Sequence, residues 1–253
     1  AQADPTPTPA VTKAEVVTAA AAKLDPKAVT AEQVIETSII FYTLGGGRSL
    51  MNQIRKSTIE RGKSNHTNAE GKVERAAYQR FVLRAETLEK EKIRLDQEFP
   101  GARYSLVLND EKIFGIYNNT VFAPREDAAK SFENQSAHGL EAFFRYKENG
   151  STIDLGPREK LMGVDYYLVD VTDKQGRKTR FYVSVKSFRV MMLTYADAGV
   201  QYKRKFYDYN YAQGTLVPFR TVLWADNKIV EETDVDTVTF GQKVDEELFK
   251  SGS

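Results

Sequence analysis

A chain of 253 residues that is 41% apolar and 11% aromatic can bury a sizeable core as one large or two ordinary domains, which excludes a disordered chain. Its 36 Lys and Arg against 35 Asp and Glu are interspersed, so it has no basic stripe of the kind a phosphate backbone demands, and nucleic acid is not an expected partner. The absence of cysteine excludes disulfides, thiolate catalysis and cysteine-bound zinc, and no apolar run approaches the roughly 20 residues that span a bilayer as a helix.

Residues 1–11 open with AQADPTPTPA, a Pro/Thr-rich stretch too poor in apolar residues to fold, and are expected to form a tether. Its Ala-Gln-Ala start resembles what signal cleavage leaves, so an exported chain is expected. Residues 12–253 then read as a single domain. Thr12 to Glu15 has capping-box spacing and opens an Ala-rich helix that should stop near Asp25-Pro26. A second box, Thr30 to Gln33, opens a helix whose Val34, Ile35, Ser38, Ile39 and Tyr42 form one stripe. Gly45-Gly46-Gly47 follows, then a short turn holding Leu50, Met51 and Ile54. No strand precedes these glycines and no Lys-Ser/Thr follows them, so they read as a C-cap and hinge and not as a phosphate cradle.

From about Gln53 the apolar period becomes two. The expected strands are Ile54 to Gly62, Val73 to Leu83, Lys92 to Glu98, Tyr104 to Leu108, Ile113 to Tyr117, Glu159 to Met162, Asp165 to Val171, Thr179 to Val185, Arg189 to Tyr195 and Tyr202 to Tyr209. Two longer strands, within Leu216 to Phe240, flank the turn Ala225 to Lys228. Hairpin turns at Asn109-Asp110, Asp173 to Gly176, Asp197 to Gly199 and Gln213-Gly214 make neighbours antiparallel, so the expected topology is one large up-and-down sheet of about 11–12 strands. One helix interrupts it, from about Arg125 to Lys147, with Ala128, Phe132, Leu140, Phe143 and Phe144 on its apolar side.

The strand that begins LVPFRTVLW poses a question about covering. Val217, Phe219, Thr221 and Leu223 share one face, while Val222 and Trp224 give the other an apolar end. A sheet this large curls, and the helical segments near 34–54 and 125–147 can cover only one face, so the concave side needs closure or a guest.

Polar chemistry is sparse. His66 sits in the stretch SNHTNAEG, read as a turn, and His138 rides the long helix beside Gly139; neither is placed for catalysis, and no HExxH or GxSxG occurs. Glu232, Asp234 and Asp236 project from one strand face and could chelate calcium or act as an acid/base pair, but an outer face paired with Lys203 and Lys205 explains them more cheaply.

Three stretches, TRFYVSVKSFRVMML, RKFYDYNYAQGTLVPFRTVLWADNKIVEETDVDTVTF and VDEELF, together resemble the periplasmic lipoprotein-carrier superfamily that includes LolA, LolB and RseB-like proteins. The resemblance is strong from about Asp165 to Phe249. It implies a mainly β fold with helices (α+β), a curled antiparallel half-barrel with a helical lid on its concave face. The implied function is non-enzymatic: a periplasmic carrier or chaperone that holds lipid or lipoprotein acyl chains and meets an envelope membrane protein, with no cofactor and no metal. The expected cavity lining is Phe143, Phe144, Tyr167, Val169, Phe181, Val183, Met191, Leu193, Phe206, Phe219 and Leu223. None of Arg180, Arg189, Arg204 and Arg220 aligns with the arginine that latches the lid in carriers. The other reading is a sensor or scaffold whose cavity is filled by its own helices.

Overall fold

The computed structural model describes residues 29–68 and 70–251. The tether and the helix expected from Thr12 lie outside the described residues.

Helix α1 (Ala31–Tyr42) starts where the capping box places it: Thr30 Oγ1 accepts from Gln33 N at 3.2 Å, and Gln33 Oε1 accepts from Thr30 N at 2.9 Å. Its buried residues include Val34, Ile35, Ser38, Ile39 and Tyr42, the stripe expected from the sequence. Gly45, at φ +94°, turns the chain into α2 (Gly47–Ile54), a conformation that a side chain would strain.

Six strands follow: β1 (Ser57–Thr67), β2 (Val73–Leu83), β3 (Lys92–Phe99), β4 (Ala102–Asn109), β5 (Lys112–Tyr117) and β6 (Thr120–Phe122). Two helices come next, α3 (Glu126–Ala137) and α4 (Leu140–Phe144). The chain then forms β7 (Thr152–Leu155), β8 (Glu159–Leu161), β9 (Val164–Thr172), β10 (Lys178–Ser184), β11 (Val190–Asp197), β12 (Val200–Ala212), β13 (Thr215–Ala225) and β14 (Lys228–Phe240). A 3-10 turn, Glu246–Phe249, buries Phe249 against Val107.

All of these strands belong to one antiparallel sheet of 14, ordered β6-β5-β4-β3-β2-β1-β14-β13-β12-β11-β10-β9-β7, with β8 also on β9. The first and last strands pair at its centre, Thr58 opposite Phe240 and His66 opposite Glu231. The curled sheet stays unclosed, since β6 and β7 end its two edges. Several hairpins turn on two residues that both hold positive φ: Ala198-Gly199, Gln213-Gly214 and Asp226-Asn227 among them. That geometry matches the twist of the flanking strands.

The structure corrects the sequence reading at four places. The sheet is not one meander: two meanders, β1–β6 and β9–β14, join through α3 and α4, which carry the chain from one edge to the other. The expected single helix breaks at Gly139, whose extended backbone (ψ 176°) ends α3, and a Cβ there would stand 2.8 Å from Gln135 O. β1 runs to Thr67, so His66 lies in a strand paired to Glu74 and Glu231, not in a turn. The acidic row on β14 faces Arg220 of β13, at 3.3 Å from Glu232 and 3.8 Å from Asp234. Lys203 and Lys205 are one strand too far away and lie over the Trp224 ring at 5.2 and 5.6 Å.

The largest core cluster packs α1 and α4 on the concave faces of β9–β13. Phe143 meets Phe181 with ring centroids 5.0 Å apart, and Tyr42 meets Phe144 at 4.8 Å. The Tyr42 hydroxyl donates to Tyr209 at 3.0 Å and accepts from Val190 N at 3.2 Å, riveting α1 to the sheet. The LVPFR strand is covered on both sides: Leu216 joins this cluster, whereas Val217 and Phe219 join Val238 and Phe240 in another.

Candidate functional site

Helix α3 is held differently from α1 and α4. Of its residues only Phe132 and Asn134 are buried, and Phe132 is its single apolar anchor, set among Tyr78, Ile93, Leu95 and Leu106 on β2–β4. The remaining ties are polar. Asn134 donates to Asp197 at 2.8 Å, Gln135 donates to Glu231 at 3.2 Å, and Glu133 pairs with Arg177 at 2.7 Å. An element tied by one aromatic ring and a few part-buried polar contacts is among the less costly parts of a fold to detach.

A cavity lies along each flank of this helix. One, of about 230 Å³, sits between α3–α4 and the concave face of β1–β3 and β12–β14. The other, of about 500 Å³, lies beyond Glu133 and Ala137, walled by Leu108, Ile113, Val171 and the Asp173–Arg177 turn. The first falls below the roughly 300–1,000 Å³ of typical ligand pockets, so a long ligand needs α3 to shift.

The wall of the first cavity is built by inward rows of alternating residues. β1 contributes Thr58, Glu60, Ser64 and His66; β2 contributes Tyr78, Arg80 and Val82; Glu91, Ile93, Leu95 and Gln97 form a third row. Phe206, Thr221, Val235 and Val238 come from the far half of the sheet, and Leu140 from α4. It is a mixed wall, with an apolar strip between charged ends.

The charges are organised around α4. Arg55 donates to Glu141 at 2.6 Å and to Thr215 Oγ1 and Leu216 O at 3.2 and 3.3 Å, filling the gap where β13 leaves β14. Arg84 also donates to Glu141. Burial works to raise the Glu141 carboxyl, but Arg84 and Arg55 outweigh it and hold the group down to about 2. Glu91 pairs with Arg145, and both are almost wholly buried. Burial pushes Glu91 up to about 7 against that pairing. At the other end, His66 lies 2.9 Å from Ser64 Oγ and 3.9 Å from Glu231, which also faces Arg204 at 3.6 Å. The Tyr78 hydroxyl donates to Glu60 at 2.8 Å, and burial together with that carboxylate pushes the phenol pKa up.

Of the lining residues expected from the sequence, Phe206 alone borders this cavity. Phe143, Phe144, Tyr167, Val169, Phe181, Val183 and Leu193 stand in the main core against α1 and α4. Phe219 packs with Val217 and Val238, Leu223 is buried at 6% exposure, and Met191 is half-buried. Sequence reasoning missed Arg80, Glu91 and Glu141, and weighed Arg204 only as a lid latch before setting it aside. Arg80 was the most readable, because it interrupts the period-two row Ala76, Tyr78, Val82 with a charge.

Among the described residues no cluster of three or more His, Asp or Glu is set to hold a metal ion. His138 is buried, with Nδ1 2.6 Å from Thr179 Oγ1 and its ring stacked on Tyr195 at 3.9 Å. No described helix is long and apolar enough to cross a membrane.

No protein-family model matches the sequence, and no curated protein is similar to it. The fold is shared with solved structures. A putative outer membrane lipoprotein-sorting protein domain from Vibrio parahaemolyticus is similar at 14% identity and TM-score 0.57, over 80% of this chain and 92% of that one. A LolA superfamily protein from Nitrosomonas europaea is similar at 12% identity and TM-score 0.58, over 88% and 98%. A DUF1329 family protein from Desulfovibrio piger is similar at 13% identity and TM-score 0.59, over 85% and 97%.

Proposed function

We propose, from the premise that this chain has the fold of the LolA-superfamily and lipoprotein-sorting proteins, that it is a non-enzymatic envelope protein that binds lipid or lipoprotein acyl chains beneath α3. The observation that carries this reading is the singular attachment of α3. It borders cavities of about 230 and 500 Å³ and buries one phenyl ring, whereas α1 and the Phe143–Phe144 side of α4 are packed into the main core.

Binding follows from burial. Withdrawing Phe132 uncovers Tyr78, Ile93, Leu95 and Leu106, and an acyl chain laid there recovers about 0.8 kcal/mol for each CH2 taken from water. The chain substitutes for the phenyl ring, so loading and lid opening are one event, and release follows when a partner favours the closed lid. The periplasm is the proposed compartment, and an envelope membrane protein is the proposed partner for delivery. The core around Phe143 and Phe181 matches the alternative in which the helices themselves fill the concave face, but only in the β9–β12 half.

Thr221→Trp tests the reading. Thr221 borders the first cavity and is not fully buried, so an indole can occupy existing space without displacing core. The variant should keep the wild-type urea midpoint and lose displacement of an environment-sensitive fatty-acid probe by palmitate. Unchanged palmitate binding in a folded Thr221→Trp protein removes the cavity from consideration.

A further inference from the structure

The first cavity is short of hydrogen-bond acceptors. Arg55, Arg80 and Arg204 each hold an enclosed Nε with no acceptor among the described residues, and all three border this space. The carboxylates around it are already engaged: Glu141 by Arg55 and Arg84, Glu91 by Arg145, Glu231 by Arg204, and Glu60 by the Tyr78 hydroxyl. Each orphaned atom in the wall is a donor.

Arg80 is the extreme case. Among the described residues it makes no ion pair and no hydrogen bond, although it stands directly opposite Glu60 on β1 and Leu95 on β3. Burying the Nε of a guanidinium without an acceptor is costly, and the rest of this half-buried side chain finds no partner among the described residues either. A single water offers each Nε one lone pair. A carboxylate or phosphate offers several acceptors in the planar, two-point geometry that a guanidinium matches. Apolar surface begins beside it, at Leu95 and at the Val82–Ile93 pair one step along the same strands.

We propose that this cavity receives the anionic head of an amphiphile, a carboxylate or a phosphate, with Arg80 as its anchor and Val82, Ile93 and Leu95 taking the start of the tail. This assignment rests on the acyl-chain reading and narrows it: the preferred cargo carries a negative charge next to its hydrocarbon. Arg55 and Arg204, each tied to one carboxylate by a terminal nitrogen, line the same space and add positive charge beside the head.

Isothermal titration of the full chain with palmitate, hexadecyl phosphate and neutral hexadecanol, below their aggregation limits, tests the inference. Both anions should bind at least about tenfold more tightly than hexadecanol, the range expected for a charge-assisted hydrogen bond in an enclosed site. Whichever anion binds better identifies the head. Arg80→Gln should bring the three ligands to near parity, and Arg80→Lys should restore part of the preference, because it returns the charge without the planar fork. Lys205→Gln, on the outer face over Trp224, should leave the preference as in the wild type. Equal binding of all three by the wild type, or a preference that survives Arg80→Gln, overturns the anion assignment and leaves acyl-chain burial standing. Binding of none of them overturns acyl-chain burial, and the anion assignment falls with it. Thermal unfolding of each variant checks that it is folded; Arg80→Lys carries the test if Arg80→Gln is not.

Discussion

At the scale of single residues, buried rings and buried charges have separable roles. Phe181 has no exposed surface and meets Phe143, so Phe181→Ala should cost about 3–5 kcal/mol in a urea titration, as for other aromatic deletions in a core. Phe132 is nearly as buried but is the single apolar anchor of its helix. Phe132→Ala should therefore remove amide-exchange protection from 126–137 while β9–β12 stay protected; a uniform loss across the chain would show α3 to be integral to the core. His138 supplies a pH dependence. Burial first, then Arg177 and Arg204, push its pKa down from 6.5 to about 4 against the opposing charges of Asp173 and Asp197. Over that interval the unfolded chain holds a proton that the folded one does not. Stability from this group is complete above 6.5 and declines by about 3 kcal/mol as pH falls through that window. His138→Gln retains a side chain that can reach Thr179 and should flatten that part of the profile, read as urea midpoints at about pH 7.5 and about pH 4.5. Parallel profiles for the two proteins would exclude His138 as the source.

At the scale of elements, legibility in the sequence followed how local the determining physics is. The Thr30–Gln33 capping box marked the start of α1, and Thr30→Ala should lower stability by about 1 kcal/mol, measurable by chemical denaturation. Val73–Leu83 was readable to the residue because a β-prone run stands between polar turns, and Asp226-Asn227 marked the last hairpin because both residues accept positive φ. β6 and β7 went unread: at three and four residues they carry little period, and unlike the equally short β8 they do not lead through a tight turn into a strong strand. The break at Gly139 was missed for a related reason. Phe132 and Phe143 lie eleven positions apart, close to three helical turns, so one apolar stripe passed through them although they enter different clusters.

At the scale of the whole molecule, the curled antiparallel sheet with helices on its concave side was legible, and the C-terminal motifs pointed to the lipoprotein-carrier fold that the structural comparisons share. The location of empty space was not. Strand alternation says which residues share a face, but whether a face meets a helix or a cavity depends on the path between β6 and β7, a long-range property that no period encodes. Strong apolar rows such as Phe181 and Val183 became filled core, and the cavity formed over β1–β3, where inward rows mix apolar, polar and charged residues. On the proposed reading, stability belongs to the β9–β13 half and cargo to the β1–β3 half, with α3 between them. Native mass spectrometry of the protein drawn from an envelope extract, with extraction and identification of what it carries, tests this most directly. Acyl-chain burial under α3 predicts one stoichiometric bound lipid or acylated peptide in the wild type and none in Thr221→Trp. A wild-type protein that emerges empty and takes up no added lipid would contradict it.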